Sequence, residues 1–506
     1  MIRAPHSAAA PPRLPWPGAA SLSLAVLLLA SCTVGPDYKR PSAPVPAAYK
    51  EAPSNWHSAE PGDSGLRGNW WEMFHDPALN ALEDQINVSN QTLKAAEAAF
   101  VQARASIRFS RAGYYPVLTV SPGASRTRNS GNLPFSGTFS RGVTANDFII
   151  PFDATYEPDV WGRVRRTVES ARAGAQASAA DLETVRLSLH AELALDYFQA
   201  RSLDAEIQLL NSTVTAYLRA LELTQSRYQG GVASQVDVAQ AKTQLETTRA
   251  EAIDLQVARV QFEHAIASLI GKPASDFSLP VAPLDSQPPP IPAGLPSLLL
   301  ERRPDVAAAE RRMAAANADI GIARSAYFPV IGLNVAGGFN SRIITTLIQG
   351  PSGFWSVGLA AAETLFEGGQ RRALSEQARA AYDQTVADYR QTVLTAIQEV
   401  EDNLAALRVL EQEAATQRRA VDAAEHSLSL SNTRYRGGVT SYLEVTTAQS
   451  TALTDERVSV QIQGRRMTAC VLLIKALGGA WNASSLQNVV AAPASPSAAP
   501  SSGERP

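Results

Sequence analysis

The 506-residue chain has only two cysteines, Cys32 and Cys470, so no disulfide framework holds it together. Charged residues make up 18% and the formal net charge is −3, which leaves no basic surplus to attract a polyanion. Nucleic acid is therefore not an expected partner. The six histidines, His6, His57, His75, His190, His264 and His426, are scattered rather than paired at ligand spacing, and no resident metal or other cofactor is expected. There is no Gly-Lys-Ser/Thr phosphate loop and no Gly-x-Ser-x-Gly elbow, so an enzyme is not expected either. The apolar run from Leu22 to Ala30 is about nine residues long, whereas a membrane-spanning helix needs ~20.

What the chain does have is a duplication. Ser226-Arg227-Tyr228-Gln229-Gly230-Gly231-Val232-Ala233-Ser234 returns as Thr433-Arg434-Tyr435-Arg436-Gly437-Gly438-Val439-Thr440-Ser441, an offset of 207 positions (434 − 227). The same offset carries Val236-Asp237-Val238 onto Leu443-Glu444-Val445 and Ile270-Gly271 onto Leu477-Gly478 without a gap. Each double glycine lies between two long periodic runs, the pattern of a tight reversal between antiparallel helices. Two long helical hairpins follow from this.

The N-terminus has its own logic. Arg3 and Arg13 precede the apolar run, and Leu29-Ala30-Ser31-Cys32 follows it, which makes residues 1–31 a secretory signal. The cut directly before Cys32 resembles the lipobox of bacterial lipoproteins, in which that cysteine carries S-diacylglycerol and N-acyl chains. Thr33 in place of Asp favours, by the same resemblance, sorting to the outer membrane. Cys470, within Ala469-Cys470-Val471-Leu472-Leu473, is expected to be a small core residue.

In order, residues 32–76 form an extended, Pro/Ala/Ser-rich segment ending in Trp70-Trp71-Glu72-Met73-Phe74-His75-Asp76. Residues 77–272 are the first repeat: a helix from Pro77 to about Ala112, a strand pair within 113–161, and a hairpin with its tip at 228–234. Asp76 and Pro77 suit the start of that helix. The pattern from Arg163 to Tyr228 is helical throughout, with a seam of Leu203, Ile207, Leu210, Val214, Tyr217, Leu221, Thr224 and Tyr228. The return run places Val238, Ala241, Leu245, Thr248, Ala252 and Leu255 at matching intervals, as coiled-coil arms require. Residues 273–300 are a proline-rich crossover, 301–479 the second repeat with strands within 326–366 and a tip at 435–441, and 480–506 a tail of disordered composition.

Each chain thus supplies four strands, bordered by aromatics such as Tyr114, Tyr115, Trp161, Tyr327, Phe328 and Phe366. Aromatic borders are what membrane barrels place at their interfaces. The smallest such barrels have about eight strands, and an open sheet edge cannot face lipid. If these strands lie in a membrane, copies of the chain must complete the barrel.

A set of short motifs carries a family resemblance. Cys32-Thr33-Val34-Gly35-Pro36-Asp37-Tyr38, Trp70-Trp71 with Phe74-His75-Asp76-Pro77, Tyr156-Glu157-Pro158-Asp159-Val160-Trp161-Gly162, Arg302-Arg303-Pro304-Asp305, Phe366-Glu367-Gly368-Gly369, both tips and Ala476-Leu477-Gly478-Gly479 occur in the order of the outer-membrane factor family. Over about residues 32–488 the chain resembles its TolC-like, NodT-type lipoprotein branch. The resemblance implies a mixed α/β membrane protein. Three copies would pool their strands into one twelve-stranded outer-membrane β-barrel and their helices into a twelve-helix periplasmic tunnel, with a small mixed equatorial domain between. It implies a passive, gated exit duct for drugs or other small molecules, lipid-anchored in the outer membrane of a Gram-negative bacterium. It also implies docking to a periplasmic adaptor and an inner-membrane pump of the resistance-nodulation-division type.

The same resemblance points to site residues. Carboxylates near Glu444 ring the constricted periplasmic end in family members, so Glu444 and its counterpart Asp237 are the expected gate; like charges brought together by symmetry would favour cations. Where family members carry a second acid and then a basic residue, this chain has Thr447 and Ser450. The tip residues Arg227, Tyr228, Gly230 and Gly231, with Arg434, Tyr435, Gly437 and Gly438, are expected to meet the adaptor. A simpler role is available to the same residues: the glycines let the chain turn and the arginines complement helix C-termini. Alternatives are the exit duct of a type I protein secretion or metal-efflux system, the latter disfavoured by a total of four methionines, and a lipid-tethered periplasmic coiled-coil scaffold without a pore.

Overall fold

The computed structural model describes residues 33–51, 69–128, 130, 144–291, 299–479, 481–484 and 486. The expected signal peptide, Cys32, part of the crossover and nearly all of the tail lie outside them. Contacts divide the chain into two units.

The first unit comprises Met1–Lys39, Ala105–Arg172 and Ala314–Gln384 and contains the sheet. Its strands are β1 (Val117–Val120), β2 (Gly123–Arg128), β3 (Thr144–Tyr156), β4 (Val330–Ser341) and β5 (Gly353–Ala362). All pairings are antiparallel, in the order β1-β3-β4-β5, with β2 also on β3. The four expected strands are therefore four positions, the first of them filled by two segments. The interruption falls at Ser121 and Pro122, and proline has no N–H to give to a ladder.

Register decides what each face presents. Leu333 pairs with Leu359, Val335 with Val357 and Gly337 with Trp355. Across β3 and β1, Ala154 meets Val335 and Leu118, while Phe152 meets Gly337 and Val120. Because side chains alternate along a strand, these residues share one face, which is apolar over β1, β4, β5 and most of β3 and turns polar at the β2 end, where Arg126, Asn146 and Arg128 lie on it. The opposite face carries Thr119, Ser125, Asp147, Asp153, Thr155, Asn334, Asn340 and Ser356. The apolar face is bare: Trp355 is 81% exposed, and Leu118, Val357 and Leu359 are exposed as well.

The end of the sheet is firmly built. Trp161 stacks on Phe328 with ring centroids 4.8 Å apart and donates from Nε1 to Pro329 O at 2.7 Å. Arg371 gathers Glu363, Glu367 and the carbonyl of Thr364 beneath Tyr327. The segment after Cys32 is tied to this region: Val34 N donates to Trp161 O at 3.1 Å, Asn317 Nδ2 to Pro36 O at 2.9 Å, and the buried Arg166 reaches Asp37 at 3.1 Å.

The second unit comprises Arg40–Arg104, Ala173–Met313 and Thr385–Pro506 and is helical. In chain order the helices are α1 (Pro77–Ser89), α2 (Gln91–Ala112), α3 (Arg163–Gln229), α4 (Gln235–Leu269), the short α5 (Leu299–Arg302), α6 (Pro304–Ser325), α7 (Gln370–Arg436) and α8 (Tyr442–Ala476); α2, α3, α6 and α7 start or end in the first unit. Helices α3 and α7 have 67 residues each, which at 1.5 Å per residue is about 100 Å. Their return arms α4 and α8 have 35 each. None of the described helices is long and apolar enough to cross a membrane.

Asp76 caps α1 by accepting from Ala78 N and Leu79 N, with Pro77 in the first turn. The expected continuous helix to Ala112 is broken at Asn90, whose backbone is extended. Its Oδ1 accepts from Leu93 N at 2.9 Å and its Nδ2 donates to Leu269 O at 2.7 Å, so this residue caps one helix while tying it to another. Periodicity could not reveal that, because the apolar phase barely changes across the break. The crossover is pinned by an ion cluster: Asp204 accepts from Arg259 Nε and from Ala282 N, each at 3.1 Å. Cys470 is buried, as a small core residue would be.

Candidate functional site: the two helical tips

Both tips turn in the same way. At the first, Gly231 N donates to Tyr228 O (2.9 Å) and Val232 N to Arg227 O (2.8 Å); at the second, Gly438 N donates to Tyr435 O (3.0 Å) and Val439 N to Arg434 O (3.0 Å). These are paired closures of a helix end on a left-handed residue. Gly231 and Gly438 have φ of +73° and +72°, which side chains other than glycine seldom adopt. Gly230 and Gly437 occupy the preceding cap position, their N–H groups donating to Ser226 O and Thr433 O.

After the turn the two copies diverge. Ser234 caps α4 and forms a reciprocal box with Asp237: Asp237 N donates to Ser234 Oγ at 3.2 Å, and Ser234 N donates to the Asp237 carboxylate at 2.8 Å. Ser441 stands at the equivalent place on α8 but makes no side-chain cap. Glu444 instead accepts from Arg434 Nη1 at 3.0 Å and from the Thr440 hydroxyl. The reason is local chemistry, since the counterpart of Thr440 is Ala233, which has no hydroxyl to offer. Asp237 and Glu444 thus share a backbone position and have different partners.

The arginines differ too. Arg227 lies over the Tyr435 ring, 4.6 Å from its centroid, and donates from Nη1 to Arg436 O at 3.3 Å, so it binds both an aromatic face and the C-terminal carbonyls of α7. Tyr435 meets Tyr442 edge to face at 5.2 Å. Around them Tyr217, Leu221, Ala241, Leu245 and Val445 form a buried cluster that joins the first hairpin to the second. Burial, reinforced by Tyr435 and Tyr217, pushes the Tyr442 hydroxyl up to about 12. Tyr228, the counterpart of Tyr435, is 46% exposed. Below the cluster, Arg457 bridges Glu206 and Glu251, each at 2.8 Å.

The structure therefore brings Arg227 to Tyr435 and Arg434 to Glu444. It leaves Tyr228 outside the buried cluster and half exposed, contrary to its place in the expected seam. Thr447 donates locally to Leu443 O, whereas Ser450 Oγ accepts from Gln244 Nε2 of the first hairpin. Sequence reasoning missed Thr440 and Tyr442. Their signal was available in the positions where the two copies differ, Ala233 against Thr440 and Gln235 against Tyr442.

Family comparison agrees with the duplicated architecture: the outer membrane efflux protein family matches residues 82–272 and again 295–479. The chain belongs to the outer membrane efflux protein family. Among its relatives, this efflux protein is 33% identical over 463 residues to the probable efflux pump outer membrane protein TtgC of Pseudomonas putida, covering 91% of this chain and 95% of TtgC. It is 31% identical to the pyoverdine export outer membrane protein OpmQ of Pseudomonas aeruginosa, over 91% of this chain and 96% of OpmQ. The solved structure of the outer-membrane channel OprN superimposes with a TM-score of 0.81 at 30% identity, covering 88% of this chain and 99% of OprN. The efflux protein is accordingly an outer-membrane channel component with a helical tunnel portion, and the pore-free scaffold is set aside.

Proposed function

We propose that three copies of this chain close a twelve-stranded barrel in the outer membrane and conduct small molecules outward as the passive exit duct of a tripartite pump. The observation that carries the reading is the sheet: four strand positions, a bare face that is apolar away from the β2 end, a more polar opposite face and, among the described residues, two unpaired edges. Lipid suits the apolar face and water the polar one, while edges are removed only by further strands. The relatives are named as pump components, which supports a periplasmic adaptor and an inner-membrane pump of the resistance-nodulation-division type as partners. TtgC of one Pseudomonas putida strain is named for toluene and OpmQ for pyoverdine, so small organic molecules are the proposed cargo class. No catalytic step is assigned to the chain.

A lipid on Cys32 fits the same picture. Thr33 packs against Gly162, and Val34 N donates to Trp161 O, so the described segment that follows Cys32 is fixed at the end of the sheet beside its aromatic border. Cys32→Ser should abolish fatty-acid labelling of the chain; retained labelling would refute the anchor.

The proposed gate is Glu444 with Asp237, repeated by symmetry at the periplasmic tips, where the adaptor would dock on the exposed turns Gly230-Gly231 and Gly437-Gly438, Tyr435 being enclosed within the chain. Reconstitution of the purified, lipidated protein in a planar bilayer tests the whole reading. Discrete single-channel steps with cation preference are expected, and Glu444→Gln should raise the conductance. Steps of unchanged size in that variant would remove Glu444 from the gate, and silence from the wild type and from Glu444→Gln with Asp237→Asn would overturn the pore.

A further inference from the structure

The second hairpin carries a groove of about 480 Å³ between α7 and α8, lined by Ala424, Ser431, Thr440, Glu444, Ala448 and Thr451 among others. The 207-residue offset maps its floor onto the first hairpin: Ala424 corresponds to Tyr217, Ala448 to Ala241 and Thr451 to Gln244. There the equivalent space is filled. Tyr217 is 5% exposed and packs with Ala241 against Tyr435 and Tyr442 of the second hairpin. The replacement of Tyr by Ala and of Gln by Thr is what leaves the second groove open.

The contact between hairpins within one chain is a template for the contact between chains. The face of the first hairpin bearing Tyr217 and Ala241 receives Tyr435 from the second. Moving one step along the repeat, the face of the second hairpin bearing Ala424 and Ala448 must receive the counterpart of Tyr435, which is Tyr228. In the isolated chain that ring is 46% exposed. A head-to-tail contact of this kind uses two different patches and closes when the rotation returns to its start.

We propose that this groove is the seat of the partner's Tyr228, so that an aromatic ring on one copy fills the space that Ala424 vacates on the next. The inference rests on the three-copy reading given above. It also assigns Arg434 a task. Within the chain Arg227 lies over the Tyr435 ring, and its counterpart Arg434 is placed to lie over the partner's Tyr228. Glu444, which lines the groove and holds Arg434 at 3.0 Å, is then a positioning residue at the seam between copies.

The test uses the full, lipidated chain with Tyr228→Cys and Ser427→Cys together, Ser427 being an exposed residue of the groove lining, treated in isolated membranes with a short bis-maleimide. Cys470 is buried, and each single variant serves as control. A covalent ladder ending at three chains in the double variant, and absent from both singles, is the expected result. A trimeric mass by light scattering without the ladder overturns the seat and leaves the three-copy reading standing; a monomeric mass overturns both. A size swap gives an independent measure. Ala424→Tyr should lower the temperature at which the complex dissociates on semi-native gels, and adding Tyr228→Ala should restore it, since two residues in contact are energetically coupled. Additive losses would refute the contact.

Discussion

The two tips are built from nearly the same nine residues and turn with the same hydrogen bonds, yet one ends in a buried aromatic cluster and the other in an exposed ring. Tyr435 is 6% exposed and Tyr228 46%. The difference lies in the neighbours rather than in the tip itself: Arg227, Tyr217 and Tyr442 surround Tyr435, while no described residue of the same chain does this for Tyr228. A repeat fixes which backbone can form. The few positions at which the copies differ fix what each copy does with it.

That contrast can be broken in graded steps. Removing the ring of Tyr442, which is 2% exposed, should destabilise the joined tips by about 3–5 kcal/mol, in the range for large aromatic truncations. Gln235→Ala at the equivalent, exposed place should stay within about 0.5 kcal/mol. Hydrogen exchange of the tip amides reads both, and equal effects would erase the asymmetry.

Arg227→Ala should cost about 1–2 kcal/mol, because it removes a partly desolvated cation from an aromatic face and a helix C-terminus. Arg434→Ala, which removes an exposed ion pair from the isolated chain, should cost at most about 1 kcal/mol. The comparison belongs in a detergent-dissociated monomer, where the seam between copies does not contribute. Ser234→Ala should cost about 1 kcal/mol as a lost cap, and Ser441→Ala measurably less, because Ser441 makes no such bond. Limited proteolysis at the two turns would rank them.

Alkali offers a further separation. In the unfolded chain Tyr442 ionises near 10, and in the folded chain only near about 12 because it is buried. Below 10 both states are neutral and the full stability is present; it is lost as pH rises through about 12, since the unfolded form sheds its proton first. Tyr442→Phe should flatten that part of the profile while keeping the packing. An unchanged slope in thermal melts across this range would show that the ring is less enclosed than its contacts imply.

Much of this was legible beforehand because it depends on local patterns. Double glycines with helical flanks, Asp76-Pro77 at a helix start, and alternation in the strands each act within a few residues. The break at Asn90 was not legible, since its side chain answers to Leu269 O, far along the chain. Nor was the split of the first strand position at Pro122, which matters only once β3 lies beside it. At the tips, residue identities pointed to Arg227, Arg434, Asp237 and Glu444, but their partners depend on which neighbour offers a donor. Thr440 in place of Ala233 redirects Glu444 to a side chain, while Asp237 stays with its backbone.

The sequence by itself determined the duplication, the class of fold and the turns, since periodicity and glycine chemistry act on the chain wherever it sits. Tertiary structure alone decided which sheet face is apolar and bare, which tyrosine is enclosed and where an open groove remains. Those outcomes depend on register and on distance through space, and equivalent residues in a repeat acquire different surroundings as soon as one copy packs on the other.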